Sequence, residues 1–113
     1  MHELSILKYV LDTIENVVEE QGLSKVGKIV LEIGELSEVV PGYLREVYPA
    51  AVEDTIFQDT ELEILMVNGN VICNDCRKVY RFLEHSHACP YCGSQEKEII
   101  SGNSFNIKEI LAY

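Results

Sequence analysis

The sequence predicts an α+β fold: a small mixed sheet of about three strands with two helices, carrying a short cysteine-rich insertion. Three observations predict it. Apolar residues recur at helical spacing from the start of the chain. Runs of alternating apolar character stand in the middle and again at the end. Between the last two of these runs lie four cysteines in two close pairs. A chain of 113 residues has room for one modest core and a small stapled module, and not for two full-sized domains.

Leu4, Leu7, Val10, Leu11, Ile14, Val17 and Val18 form one stripe, with Glu15, Glu19 and Glu20 opposite. This predicts a core-facing helix over residues 4–20, with Gly22 as its C-cap. The next run, residues 26–34, alternates and is rich in β-branched residues. It predicts a strand with Ile29, Leu31 and Ile33 on its buried face. Gly34 and Ser37 mark a loop. Pro41 opens a second helix, because its missing N–H costs nothing at that position. Leu44, Val47, Tyr48, Ala51 and Val52 give that helix its apolar side. Pro49 is expected to kink it, break it or mark a later start.

Residues 61–67 alternate as a second strand, and Asn68-Gly69-Asn70 is a turn. After Ser101-Gly102-Asn103, residues 104–111 alternate once more. The cysteine segment is too short to pack a core of its own, so the simplest plan returns this last strand to the first sheet. Residues 1–68 and 103–113 then make one α/β domain, and residues 69–102 an inserted module on two linkers.

The formal net charge is -10, and it is uneven. Residues 1–68 hold 14 acidic and 4 basic side chains, whereas residues 69–113 hold 5 of each. Nucleic-acid binding needs a basic footprint, so DNA and RNA are poor partners for this field. A basic surface or a cation suits it better. No apolar run is long enough to cross a membrane, and Met1-His2-Glu3 leads straight into the amphipathic pattern, with neither the basic start nor the apolar stretch of a signal peptide. A cytoplasmic protein is expected. There, paired cysteines are read first as metal ligands or redox centres.

The cysteines read Cys73-x2-Cys76-x12-Cys89-x2-Cys92. Two intervening residues let one tight turn aim two sulfurs at one ion, and two such turns complete a tetrahedral S₄ shell that suits Zn²⁺. Pro90 stiffens the second turn and Gly93 permits positive φ after it, whereas Arg77 follows the first pair. The module is therefore zinc-ribbon-like. A closed S₄ shell has no open position for substrate and serves as a staple. Iron in a rubredoxin-like centre and dithiol exchange are the alternatives. His85 and His87 fall between the pairs and are read as solvent-facing loop residues. The sharper reading has them tune the site or replace a thiolate.

At the other end, the α-amine of Met1 and the amide nitrogen and imidazole of His2 can close chelate rings on one ion. A planar all-nitrogen set suits Ni²⁺ or Cu²⁺. Glu3 adds a carboxylate or supports the shell by hydrogen bonds. The plainer reading is a tail ahead of a helix, with Glu3 complementing the helix dipole.

These features occur together: Met1-His2-Glu3 opening an amphipathic helix, Ile33-Gly34-Glu35-Leu36-Ser37 after a strand, the two CxxC pairs, and Gly102-Asn103-Ser104-Phe105 leading into a final strand. In this the chain resembles the HypA/HybF family of hydrogenase maturation proteins, over essentially its whole length. The specific part is the Met-His-Glu start combined with the CxxC pairs. The resemblance implies a nickel metallochaperone with its nickel site at His2, the amine of Met1 contributing and Glu3 supporting. It implies zinc at Cys73, Cys76, Cys89 and Cys92. It further implies delivery of Ni²⁺ to the large subunit of [NiFe]-hydrogenase with a GTPase partner, with urease as another recipient for some members. Some relatives carry an acidic residue near the end of the turn after the first strand, and Glu38 alone could stand in for it here.

The chain has no phosphate-binding loop, so any nucleotide-driven step belongs to a partner. It shows no nucleophile-base pair either, and it reads as a binding protein, not an enzyme. The rival reading is a zinc-ribbon interaction module in transcription or RNA processing. Monomer and domain-exchanged dimer both stay open.

Overall fold

A computed structural model of the chain describes residues 3–85 and 88–113. The order of elements is α1 (Glu3–Glu20), β1 (Val26–Gly34), α2 (Pro41–Val52), β2 (Glu61–Val67), β3 (Asn70–Cys73), β4 (Val79–Arg81), a 3₁₀ turn (Phe82–Glu84), β5 (Lys97–Ile99) and β6 (Phe105–Ala112). The strands form two three-stranded sheets, ordered β2-β1-β6 and β4-β3-β5. The last strand does return beside the first. The chain divides into two compact units. One runs through Glu32 and takes in Glu38–Leu65 and Asn106–Tyr113; the other is Ile33–Ser37 with Met66–Phe105.

In the first unit, α1 buries Ile6, Leu7, Val10, Leu11, Ile14 and Val18. The stripe is rotated from the expected one: Ile6 joins the core, while Leu4 and Val17 are exposed. The helix ends in a Schellman motif. Gly22 takes φ +68°, its N–H donates to the Glu19 carbonyl, and the Leu23 N–H donates to the Val18 carbonyl. β1 is the central strand of its sheet. Ile29, Leu31 and Ile33 are buried as expected, and so is Val30 on the opposite face.

Pro41 occupies the first turn of α2, and Leu44, Tyr48 and Val52 are its buried positions. The helix continues through Pro49 to Val52 without the expected break. What Pro49 loses is one N–H, whose partner would have been the Arg45 carbonyl one turn earlier. α1 packs on α2. A short relay ties α2 to β1: the Tyr48 hydroxyl donates to the Thr60 carbonyl at 2.9 Å, and the Thr60 hydroxyl donates to the Val26 carbonyl at 2.6 Å. Thr60 is the buried polar residue of this core, and burial pushes the Tyr48 phenol up to about 12.

Candidate metal centre

The second unit is built on β3. It pairs antiparallel with β4, Val71 facing Tyr80, and antiparallel with β5, Val71 facing Ile99. Directly opposed residues share a face. Val71, Tyr80 and Cys73 therefore lie on one side of this sheet, and all three are buried there with Cys89. Cys76 and Phe82 pack against that cluster.

The two cysteine pairs are built on one hydrogen-bond plan. In each, the N–H of the residue after the second cysteine donates to the carbonyl of the first: Arg77 to Cys73 at 2.9 Å, Gly93 to Cys89 at 2.8 Å. The N–H of each first cysteine donates to a carbonyl five positions later, that of Lys78 or Ser94. The residue closing each turn has positive φ, +63° for Arg77 and +80° for Gly93. Glycine takes this conformation freely, whereas Arg77 is held in it against the preference of a residue with a Cβ.

Backbone N–H groups also point at the sulfurs. The Cys76 N–H donates to Cys73 Sγ at 3.5 Å, and the Tyr91 N–H donates to Cys89 Sγ at 3.4 Å. These donors favour thiolate over thiol. The N–H groups of Cys76 and Asp75 outweigh burial and bring the Cys73 thiol down to about 6. At Cys92 the Ser94 N–H acts downward, but the sulfur of Cys73 and burial prevail, and the thiol is pushed up to about 12. Four sulfurs this close cannot all ionise without a cation among them.

Their spacing fits one. All four sulfurs lie within 4.8 Å of one another, with Cys73 to Cys92 at 3.5 Å and Cys76 to Cys89 at 3.6 Å. Zn–S bonds of about 2.3 Å in a tetrahedron set sulfurs about 3.8 Å apart. Among the described residues this is the one group of three or more such side chains arranged to hold a metal.

Around the cluster are groups that spacing alone does not reveal. The Tyr80 hydroxyl is buried with no hydrogen-bond partner among the described residues. Burial and then the neighbouring cysteines push its phenol up. Lys78 lies over the Tyr91 ring at 4.8 Å, and Lys97 over Phe82 at 5.7 Å. His85 is exposed, its ring edge-on to Tyr80 at 6.2 Å between centroids. His87 lies outside the described residues.

The segment 33–37 is threaded into this same unit. The Gly34 N–H donates to Ser104, Glu35 to Val67 and Leu36 to Gly102. A Cβ on Gly34 would overlap the carbonyl of Gly102. Glu35 pairs with Arg81, a contact the sequence reading did not assign. The Gly-Glu-Leu-Ser string marked the place but not the partner.

Met1 and His2 lie outside the described residues. Glu3 opens α1 half-buried, and its Oε2 is shielded with no hydrogen-bond partner among the described residues. Glu38 is exposed in the loop ahead of α2. No helix among the described residues is long and apolar enough to cross a membrane.

The family model described as "Hydrogenase/urease nickel incorporation, metallochaperone, hypA" matches residues 1–112. A hydrogenase maturation factor HypA of Dechloromonas aromatica is 36% identical over 110 residues, 97% of either chain. HypA of Rhodopseudomonas palustris is 34% identical, and the maturation factor HybF of Klebsiella pneumoniae 31% identical, both over the same 97% of each chain. The solution structure of the Ni metallochaperone HypA from Helicobacter pylori superposes with a TM-score of 0.70 at 23% identity, covering 99% of this chain and 97% of that one. A second HypA solution structure superposes with a TM-score of 0.73 at 22% identity. At these identities the likeness to the solved structures is one of fold.

Proposed function

Because the chain belongs to the HypA family of metallochaperones for nickel incorporation, we propose that it binds Ni²⁺ at its N-terminus and passes the ion on during maturation of [NiFe]-hydrogenase. The ligands in this reading are the amine of Met1 and the amide and imidazole of His2, with Glu3 supporting. The observation that carries the position is Glu3 itself. A shielded carboxylate oxygen without a partner among the described residues is costly, and Glu3 follows directly in sequence the histidine it would support.

Zn²⁺ at Cys73, Cys76, Cys89 and Cys92 is structural in this reading. The closed shell of sulfurs holds the short strands β3, β4 and β5 together, because a unit of this size buries too little apolar surface alone. Residues 69–102 are the zinc module, and residues 1–68 with 103–113 carry nickel. The protein works by binding and release, with no catalytic step of its own, in the cytoplasm. A GTPase drives transfer, and the hydrogenase large subunit receives the ion. Urease is a further recipient, as the family description supports.

Nickel titration of untagged, zinc-loaded protein tests this. The native chain is expected to hold one tight Ni²⁺, lost in His2→Ala with zinc content unchanged. One residue added ahead of Met1 is expected to weaken nickel as well, because the amine is displaced. Unaltered nickel affinity in His2→Ala overturns the N-terminal site.

A further inference from the structure

We propose that the cleft between α1 and the segment following α2 is a docking groove for a cationic, amphipathic helix of a protein partner. The cleft has a volume of about 300 Å³, within the range of small ligand sites. Its floor is apolar and firm: Leu11 is 7% exposed and Phe57 2%. Ala51 forms part of its wall. At its mouth stands Leu4, 57% exposed, the residue that periodicity would place in the core.

The rim is charged. Asp12 and Glu15 line the cleft, both exposed, and neither makes an ion pair among the described residues. Lys8 is the lone base on the lining and is likewise unpaired among them. Leu4, Lys8, Leu11 and Glu15 fall at successive turns of α1, a stripe about 16 Å long. That length matches about three turns of a partner helix offering apolar residues at positions i, i+4 and i+7.

Charge selects the occupant. Residues 1–68 hold 14 acidic and 4 basic side chains. A second copy of this chain, or a nucleic acid, would bring like charge to the rim. A small neutral apolar molecule would leave Asp12 and Glu15 unused. A helix with Leu or Phe on one face and Lys or Arg beside it satisfies both floor and rim, the charges speeding encounter and the apolar contact slowing release.

The inference deepens the delivery reading, from which it takes only its purpose. A carrier must be held by whatever relieves it of its ion. The test uses zinc-loaded, ¹⁵N-labelled full chain and two synthetic helices of about four turns with the same Leu stripe, one flanked by Lys and the other by Glu. The Lys helix is expected to shift amides along α1 and residues 51–57. Asp12→Lys with Glu15→Lys is expected to weaken it at least about tenfold and to favour the Glu helix. Leu4→Ser, a change at an exposed position, is expected to weaken the Lys helix without altering the fold's spectrum. Shifts spread over every acidic face, or affinity indifferent to the double exchange, overturn the groove. Nickel titration of the double variant keeps the two readings apart: nickel binding unchanged while the Lys helix is lost supports the groove, and nickel lost along with it overturns a separate site.

Discussion

Arg81 holds Glu35 with two arms of its guanidinium, Nε donating to Oε1 at 2.8 Å and Nη2 to Oε2 at 2.6 Å. The Gly69 N–H donates to the same Oε1 at 2.7 Å. The pair joins the turn after β1 to β4, and Glu35 is only 10% exposed. A two-point, charge-assisted contact of this kind fixes geometry as well as adding attraction.

That contact makes the second unit acid-sensitive in a defined window. Arg81, then the Gly69 N–H, hold the Glu35 carboxyl at about 2, below its ordinary 4.5. A depressed carboxyl adds stability above its unfolded value and loses it as pH falls through the folded one. Glu35→Gln is therefore expected to melt several degrees below the native chain at pH 7, and the gap is expected to close between pH 4.5 and 2. The comparison is read where zinc content, measured alongside, is the same in both proteins, because loss of the ion would unfold the same unit.

Removing the ion should strike the second unit first. Cys89→Ser, or chelation of the native chain, is expected to abolish zinc content and the amide signals of β3, β4 and β5. Structural zinc binding is worth about 10–16 kcal/mol, far more than these three short strands can replace. Metal analysis with an amide spectrum checks it, and a native-like spectrum without metal would contradict it.

Two glycines with positive φ should differ in their response to alanine. A Cβ on Gly22 meets nothing within 4 Å, so Gly22→Ala is expected to cost only the backbone preference, about 1 kcal/mol. A Cβ on Gly102 meets the Asn68 carbonyl and the Gly69 Cα at 2.6 Å. Gly102→Ala is expected to cost more, roughly 1–3 kcal/mol for strain before the overlap is relieved. Urea unfolding of both variants gives the order directly.

The Thr60 relay offers a third comparison. Tyr48→Phe removes a donor to the Thr60 carbonyl and is expected to cost about 1 kcal/mol. Thr60→Val leaves the Val26 carbonyl without its partner and is expected to cost roughly 1–3 kcal/mol. Equal stability of Thr60→Val and the native chain in urea would show that water replaces the bond.

Much of this was legible in residue order. The stripe on α1, the Gly22 cap, the three long strands and the cysteine spacing each follow from a period or a turn residue. What escaped has a common cause. Leu4 and Ile6 exchange places because a stripe is read relative to an unknown neighbour, and α2 with the segment after it sets which side is covered. Pro49 is tolerated because one missing N–H costs less than the buried contacts of Tyr48 just before it and Val52 beyond it. β3, β4 and β5 are too short to show a period. Glu35 and Arg81 lie far apart in the chain, and nothing local to either predicts the other.

The position of β6 beside β1 governs how the chain is made as well as how it stands. β1 reaches its second neighbour only after the whole cysteine segment has been synthesised, because β6 follows that segment in the chain. The backbone bonds between Lys25 and Tyr113 close a loop that takes in every element after α1. Such non-local closure is slow relative to helix formation. While the ribosome is still at work, one edge of β1 stays open until β6 has emerged, and the first unit cannot finish before then.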